Sequence, residues 1–128
     1  MRIAYLEDDP AQAAQICEWL ADADYDCYHY DHGAALLHAL HAETFDLAII
    51  DWELPDCTGD EVLTRLREER ASTLPVICIT VRDQEEHIVQ ALKLGADDYM
   101  CKPVSRGETL ARIEAPGPMR VRCLAKPS

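Results

Sequence analysis

Short apolar runs alternate with longer amphipathic segments along most of the chain. Three runs rich in isoleucine and valine lie at residues 3–6, 47–50 and 76–79. Such runs are too short for helices, and their composition is typical of strands that are buried on both faces of a parallel sheet. Two further segments, residues 25–30 and 98–101, mix polar with apolar side chains. That mixture indicates strands at the edges of the sheet.

A helix-start pattern follows each predicted strand. The first is an acidic residue followed by proline, which is favoured at the first helical position. Three others are capping boxes, in which Ser, Thr or Asp is followed three residues later by glutamate. These four caps are, in chain order, Asp9, Thr58, Asp83 and Ser105, and a further helix is expected to start after Asp31. Gly95 is expected to end the fourth helix, since glycine is favoured just after a helix C-terminus.

The repeated strand-then-helix order predicts an α/β fold with a single, doubly wound, five-stranded parallel sheet. Right-handed crossovers leave few topologies for such a sheet. The flavodoxin-like (βα)5 order 2-1-3-4-5 is favoured, because it places the two mixed strands at the edges. Pro116-Gly117-Pro118 interrupts the last helix. Residues 1–115 are therefore predicted to form one domain, followed by a linker or C-terminal tail over residues 116–128.

Acidic residues outnumber lysine and arginine by 24 to 12, which gives a formal charge of −12. Arg2 is the only lysine or arginine among the first 64 residues. A surface this acidic matches neither nucleic-acid phosphates nor an anionic membrane, so direct binding of this chain to either is not expected. No apolar stretch approaches the roughly 20 residues of a membrane span. The six cysteines form no CxxC motif and are expected to be mostly buried free thiols, which favours a cytoplasmic location.

Chemically informative side chains lie where the predicted strands end. Glu7 and Asp8 follow the first strand, and Asp51 ends the third. In the order 2-1-3-4-5 the ligand crevice lies between these two strands, so three carboxylates are expected to converge. A hard divalent cation such as Mg²⁺ would relieve their repulsion. With Thr80 ending the fourth strand and Lys102 following the fifth, the set contains the groups needed for phosphoryl transfer onto a carboxylate.

These segments resemble those of response-regulator receiver domains of bacterial two-component signalling. The resemblance covers roughly residues 1–114. The segments that carry it are residues 5–10 (YLEDDP), residues 51–59 (DWELPDCTG), Thr80, residues 95–99 (GADDY) and Lys102-Pro103.

The resemblance implies that Asp51 accepts a phosphoryl group from a phosphohistidine of a sensor histidine kinase or phosphotransfer protein. It also implies that Mg²⁺ is bound by Asp8, by Asp51 and by the backbone carbonyl of Glu53, with Glu7 acting through a water. Lys102 would pair with the acyl phosphate, and its bond to the following proline is expected to be cis.

The resemblance further implies a switch rather than an enzyme that acts on a separate metabolite. Thr80 would turn its hydroxyl toward the phosphoryl group and Tyr99 would turn inward, which would change the face made by the fourth helix, fifth strand and fifth helix. That face would control an output partner or effector domain. Val81 is larger than the residue usual at this position, and we expect it to slow attack by water. A homodimer is implied by four charges that resemble those at the dimer face of winged-helix regulators: Asp97, Asp98, Glu108 and Arg112.

Several alternative interpretations accompany these assignments. The same four charges could simply form a solvated face, and Tyr99 could be an ordinary packing residue. Asp9 is interpreted as a helix cap rather than a ligand. An Mg²⁺-dependent phosphatase with an aspartyl nucleophile would need a second Asp where this chain has Glu53. A pseudo-receiver that only binds partners should lack some of the site residues, and none is missing.

Overall fold

A computed structural model describes residues 1–54, 59–68, 73–81 and 85–114 of the chain. Five strands alternate with five helices. The strands are β1 (Arg2–Leu6), β2 (Asp26–Tyr30), β3 (Leu47–Asp51), β4 (Val76–Val81) and β5 (Asp98–Lys102). The helices are α1 (Pro10–Asp22), α2 (Gly33–Ala42), α3 (Gly59–Glu68), α4 (Glu85–Lys93) and α5 (Arg106–Glu114). None of the described helices is both long enough and apolar enough to cross a membrane.

The five strands form one parallel sheet in the order β2-β1-β3-β4-β5. This confirms the predicted fold class and strand order. The central strand β3 is buried along its whole length, whereas the edge strands β2 and β5 are largely half-buried. The apolar runs therefore lie in the centre of the sheet, as their composition predicts.

Side chains from the two faces of the sheet form two separate core clusters. On one face, Leu6 and Ile50 pack with Leu36 of α2 and Leu63 of α3. On the other face, the cluster comprises Ile3, Tyr5 and Ile49 of the sheet, Ile16 of α1 and Ile113 of α5. The alternation follows from the two-residue period of a strand. Both faces are covered, so the polar groups at the carboxyl ends of the strands lie at the edge of this layered core.

Several helix ends match their predicted signals. The Asp9 carboxylate accepts a hydrogen bond from the Ala11 backbone N–H at 3.0 Å, which confirms Asp9 as a cap. The Ser105 hydroxyl accepts one from the Glu108 backbone N–H at 3.2 Å. Gly95 has φ of +112° just after α4, as expected for a glycine at a helix end. The predicted caps Thr58 and Asp83 lie outside the described residues.

The boundaries of the elements differ from the predictions in small ways. β2 begins at Asp26 rather than at residue 25, because the Tyr25 backbone N–H donates to the carbonyl of Leu20 and completes the turn after α1. β4 runs one residue beyond Thr80, which was predicted to end it, and Lys102 is the last residue of β5 instead of the residue after it. The predicted tail over residues 116–128 lies outside the described part of the chain.

The expectation of mostly buried cysteines is wrong for the described thiols. Cys78 is buried in β4, but Cys17, Cys27 and Cys101 are half-buried. Cys17 lies on α1 next to the buried residue Ile16, and Cys27 lies on an edge strand. Both positions are at the border of the core, where an apolar sequence neighbourhood does not imply full burial.

Candidate functional site

Three carboxylates meet where β1 and β3 end. Glu7 and Asp8 directly follow β1, and Asp51 is the last residue of the neighbouring strand β3. One carboxylate oxygen from each residue lies within 4.8 Å of the others. Glu7 and Asp51 are buried, while Asp8 is exposed. The cluster is therefore open to solvent on one side and supplies the oxygen ligands that Mg²⁺ prefers.

Both oxygens of Asp51 have hydrogen-bond donors. The backbone N–H of Glu53 donates to Oδ1 at 3.0 Å, and Lys102 Nζ donates to Oδ2 at 3.1 Å. Lys102 Nζ also lies 3.9 Å from Glu7 Oε2, so one ammonium faces two buried carboxylates. The Lys102-Pro103 peptide bond is cis, as expected.

The pKa values in the cluster reflect this crowding. Burial and the neighbouring Asp51 carboxylate raise the pKa of Glu7 to about 8, against the opposing influence of Lys102 and a tyrosine hydroxyl. Burial tends to lower the pKa of Lys102, but the two carboxylates attract its ammonium strongly enough to raise that pKa. Near neutral pH the metal-free cluster therefore retains a proton on Glu7. A bound cation would replace that proton.

Glu7 is held from several sides. The Tyr5 hydroxyl donates to Oε1 at 3.0 Å, and the Asp9 backbone N–H donates to Oε2 at 3.3 Å. The end of β2 also fixes the backbone of Glu7. The Glu7 N–H donates to the Tyr30 carbonyl at 2.9 Å, and the Glu7 carbonyl accepts from His29 Nε2 at 2.7 Å. Sequence reasoning missed Tyr5 and His29. Tyr5 had a usable signal, since residues two apart on a strand point to the same side.

Thr80 follows Ile79, the residue that pairs with Asp51 in the β3–β4 register, and its hydroxyl is unusual. Its side chain is only 2% exposed, and its Oγ1 has no hydrogen-bond partner among the described residues. A buried hydroxyl without a partner costs about 1–3 kcal/mol. The hydroxyl is therefore available to a new hydrogen-bonding group that enters the cleft. Val81, the next residue, is half-buried.

Three of the four predicted dimer-face charges form one network beside Tyr99. Arg112 Nη1 donates to both carboxylate oxygens of Asp98, at 2.8 and 2.9 Å, and the guanidinium also contacts Glu108. The Arg112 guanidinium carbon lies 5.9 Å from the centre of the half-buried Tyr99 ring. These charges pair within one chain, on β5 and α5.

Asp97 lies in a different environment from the other three charges. Its Oδ2 accepts hydrogen bonds from the Val76 backbone N–H at 2.8 Å and from Arg67 Nη2 at 3.2 Å. Arg67 also donates to the carbonyls of Leu74 and Gly95, both at 2.6 Å. The side chain of Asp97 thus helps to hold the starts of β4 and β5 together. Sequence reasoning missed Arg67, which has no local signal that distinguishes it from other helix-surface arginines.

Comparison with known proteins agrees with this fold. Residues 3–114 match the family model of the response regulator receiver domain. The chain belongs to that family. It is a receiver domain of two-component response regulators, which confirms the resemblance seen in the sequence and favours it over the phosphatase interpretation.

Curated relatives of this receiver domain are longer proteins. It is 38% identical to the transcriptional activator protein IrlR of Burkholderia pseudomallei, over 90% of this chain and 49% of the relative. It is 32% identical to the phosphate regulon transcriptional regulatory protein PhoB of Pseudomonas aeruginosa, over 88% of this chain and 50% of the relative. The receiver domain thus spans about half the length of the curated relatives it matches.

Solved structures show the same architecture. A CheY-like response regulator receiver domain protein from Methanospirillum hungatei superimposes with a TM-score of 0.82 at 30% identity, over 88% of this chain and 90% of that one. The receiver domain of TorR, the response regulator of the TMAO respiratory system, gives a TM-score of 0.82 at 30% identity, over 88% and 92%.

Proposed function

We propose that this receiver domain accepts a phosphoryl group on Asp51 from the phosphohistidine of a sensor histidine kinase or phosphotransfer protein, in an Mg²⁺-dependent reaction. The observation that carries the proposal is the setting of Asp51. It is buried, 3.1 Å from the Lys102 ammonium, and close to two further carboxylates, Glu7 and Asp8. This combination of a fixed carboxylate nucleophile, a cation and a candidate metal cluster suits phosphoryl transfer.

In the proposed step, an Asp51 carboxylate oxygen attacks the phosphorus of the donor. The phosphorus–nitrogen bond breaks, the imidazole nitrogen keeps the electron pair, and an acyl phosphate forms on Asp51. The Glu53 backbone N–H holds the carboxylate through Oδ1 during the attack. Lys102, which is paired with Oδ2, is close enough to turn to the new phosphoryl oxygens. Hydrolysis later transfers the phosphoryl group to water and regenerates Asp51.

The candidate ligands fit a magnesium ion. Asp8, Asp51 and the backbone carbonyl of Glu53 would hold it directly, and Glu7 would act through a water. Their donor atoms are all oxygens, and the raised pKa of Glu7, which reflects burial and the nearby Asp51 carboxylate, supports the proposal that a cation binds here. Bound Mg²⁺ would neutralise charge on the carboxylates and on the transferring phosphoryl oxygens.

The same cleft suggests how the signal leaves it. The buried hydroxyl of Thr80 would donate to a phosphoryl oxygen and so gain the partner it lacks among the described residues. Tyr99, half-buried beside Arg112, would then turn inward. The resulting change at the face formed by α4, β5 and α5 would favour one binding state of an output partner or effector domain.

We extend the proposal to homodimerisation through that face, mainly by Asp98, Glu108 and Arg112. Each of these would exchange an intrachain ion pair for one with a second copy. Asp97 is a weaker candidate, because its carboxylate is bonded to Val76 and Arg67. Sedimentation velocity with and without beryllofluoride tests this. A beryllofluoride-dependent dimer that Arg112→Ala abolishes would support it, and a monomer at all concentrations would contradict it.

A tryptophan probe tests the phosphorylation proposal. The chain has two tryptophans, and Trp52 is buried directly after Asp51. A Trp19→Phe background therefore leaves Trp52 as the sole reporter. We expect Mg²⁺ to change its fluorescence and beryllofluoride to change it again. A small phosphodonor should add one base-labile phosphoryl group to the intact mass.

The control variants separate the acceptor from other carboxylates. Asp51→Asn should abolish the beryllofluoride response and the mass increase, whereas Asp26→Asn, at an exposed position on β2, should retain both. Phosphoryl incorporation into the Asp51→Asn protein would show that another residue is the acceptor. A normal Mg²⁺ response without any incorporation into the unsubstituted protein would refute the acceptor role and leave only metal binding.

A further inference from the structure

Two cysteines lie in contact at the junction of α1 and β2. Cys17 Sγ and Cys27 Sγ are 3.0 Å apart, and both side chains are half-buried. Both also pack against the core cluster that contains Ile3 and Ile16. The two sulfurs need to approach by only about 1 Å to reach the length of a disulfide bond. The pair is thus close enough to react and exposed enough for a small oxidant to reach it.

The remaining described cysteines are placed differently. Cys78 lies fully inside the sheet on β4, where burial raises its pKa to about 12 and makes the thiol unreactive. Cys101 is half-buried on the edge strand β5. Cys101 therefore resembles the pair in exposure and serves as a matched control.

We propose that Cys17 and Cys27 form a reversible intramolecular disulfide, for which a peroxide is the oxidant. In compartments that keep most thiols reduced, disulfides are usually transient and redox-sensing, which suits a half-buried pair on a signalling domain. This proposal is independent of phosphorylation at Asp51, because neither cysteine belongs to the carboxylate cluster.

The reaction follows from the asymmetry of the pair. A hydrogen bond from the Cys27 thiol lowers the pKa of Cys17, while the same bond and burial raise the pKa of Cys27. We assign the first attack to Cys17, because the shared hydrogen bond favours its thiolate; the reverse order would give the same disulfide. The Cys17 thiolate attacks one peroxide oxygen and the O–O bond breaks. The departing hydroxide takes up the proton that Cys17 had released, so a sulfenic acid and one water result. Cys27 loses its proton and attacks the sulfenyl sulfur, which releases a second water and forms the S–S bond. Two thiols are oxidised by two electrons and one peroxide is reduced.

The disulfide would link the two elements that hold Glu7. α1 begins next to Asp9, whose N–H bonds to the Glu7 carboxylate, and β2 ends at Tyr30, whose carbonyl accepts from the Glu7 N–H. The bond would close a short loop over residues 17–27 and limit the freedom of that segment in the unfolded chain. We expect the melting temperature of the oxidised protein to be about 5–10 °C above that of the reduced protein.

Peptide mapping of the full chain tests the proposal without any substitution. The reduced protein is treated with one equivalent of hydrogen peroxide, alkylated, and cut with a glutamate-specific protease. Cleavage after Glu7, Glu18 and Glu43 places Cys17 and Cys27 in separate peptides and keeps Cys57 in a third. The expected product joins the first two peptides, with a mass two hydrogens below their sum, and a thiol reductant separates them.

Variants provide the second measurement. Cys17→Ser and Cys27→Ser should each abolish the linked peptide and the rise in melting temperature, whereas Cys101→Ser should retain both. The proposal fails if peroxide leaves Cys17 and Cys27 alkylatable, if either bonds to Cys57 or to a second chain instead, or if Cys17→Ser shows the same thermal gain as the unsubstituted protein.

Discussion

Replacing Glu7 with glutamine isolates the electrostatic cost of the buried carboxylates. Glu7 is fully buried, and in the metal-free cleft burial and Asp51 raise its pKa from 4.5 to about 8. The folded protein therefore binds this proton more tightly than the unfolded chain does. By linkage, the contribution of Glu7 to the free energy of unfolding is most favourable below pH 4.5, falls as the pH rises to about 8, and is constant above that.

The size of the effect follows from one proton. A single group changes the free energy of unfolding by at most about 1.4 kcal/mol per pH unit. Between pH 5 and pH 7.5 the loss is therefore about 3 kcal/mol. Glu7→Gln keeps the shape of the side chain but cannot ionise, so the variant should not show this loss. The free energy of unfolding of the wild type minus that of Glu7→Gln is therefore expected to fall by about 3 kcal/mol between pH 5 and pH 7.5.

Urea denaturation in a metal chelator at pH 5, 6, 7 and 7.5 measures this difference. Every other titrating group is present in both proteins, so to first order its effect on the free energy of unfolding cancels in the difference between them. Glu18→Gln, at an exposed position on α1, is the control and should differ from wild type by a constant amount. A difference between wild type and Glu7→Gln that does not change with pH would refute the reasoning. So would a gain of wild-type stability with rising pH, which would mean that Lys102 outweighs burial.

Three further substitutions have defined outcomes. Lys102→Met removes the ammonium that lies 3.1 Å from Asp51. Mg²⁺ would then no longer compete with a fixed cation, so its affinity, measured by tryptophan fluorescence, should rise up to about tenfold. Weaker Mg²⁺ binding would contradict this. Val81→Ala should shorten the lifetime of the Asp51 phosphoryl group severalfold, since a smaller side chain admits water more easily; equal lifetimes would show that Val81 does not control access. Gly59→Ala would place a Cβ 2.5 Å from Trp52 Cε3 and 2.9 Å from Trp52 Cα. We therefore expect the free energy of unfolding to fall by about 1–3 kcal/mol and the tryptophan emission to shift. A change in chemical denaturation below roughly 0.5 kcal/mol, the size of an ordinary surface substitution, would show that the structure accommodates the new methyl group.

The layout of the sheet was predictable because it depends on averages over many side chains. Strands buried on both faces must be apolar throughout, and edge strands need not be. Composition therefore indicated the edge strands, and the crossover rule with the known flavodoxin-like order gave the rest. The convergence of Glu7, Asp8 and Asp51 followed from that order, since parallel strands deliver the residues at their carboxyl ends to one edge. The prediction that Thr80 and Lys102 lie near these carboxylates likewise needed only their positions at the ends of the fourth and fifth strands.

Contacts between particular side chains were less predictable, because they depend on helix faces and rotamers. Nothing near Arg67 indicates that its guanidinium reaches Asp97 and two backbone carbonyls. The contact of Cys17 with Cys27 likewise requires the exact rotation of α1 over β2. Sequence spacing identifies which elements meet, but not which of several polar atoms at their border are within bonding distance.

The order of synthesis sets the order in which opposite charges become available. Arg2 is the only lysine or arginine in the first 64 residues. Lys102, the cation that contacts Asp51, is synthesised 51 residues after Asp51. A nascent chain therefore presents the carboxylates of β1 and β3 before their lysine exists. Their mutual repulsion opposes early collapse of the first three strands. We therefore expect stable folding of the domain during translation to await β5, the last strand, at the edge of the sheet.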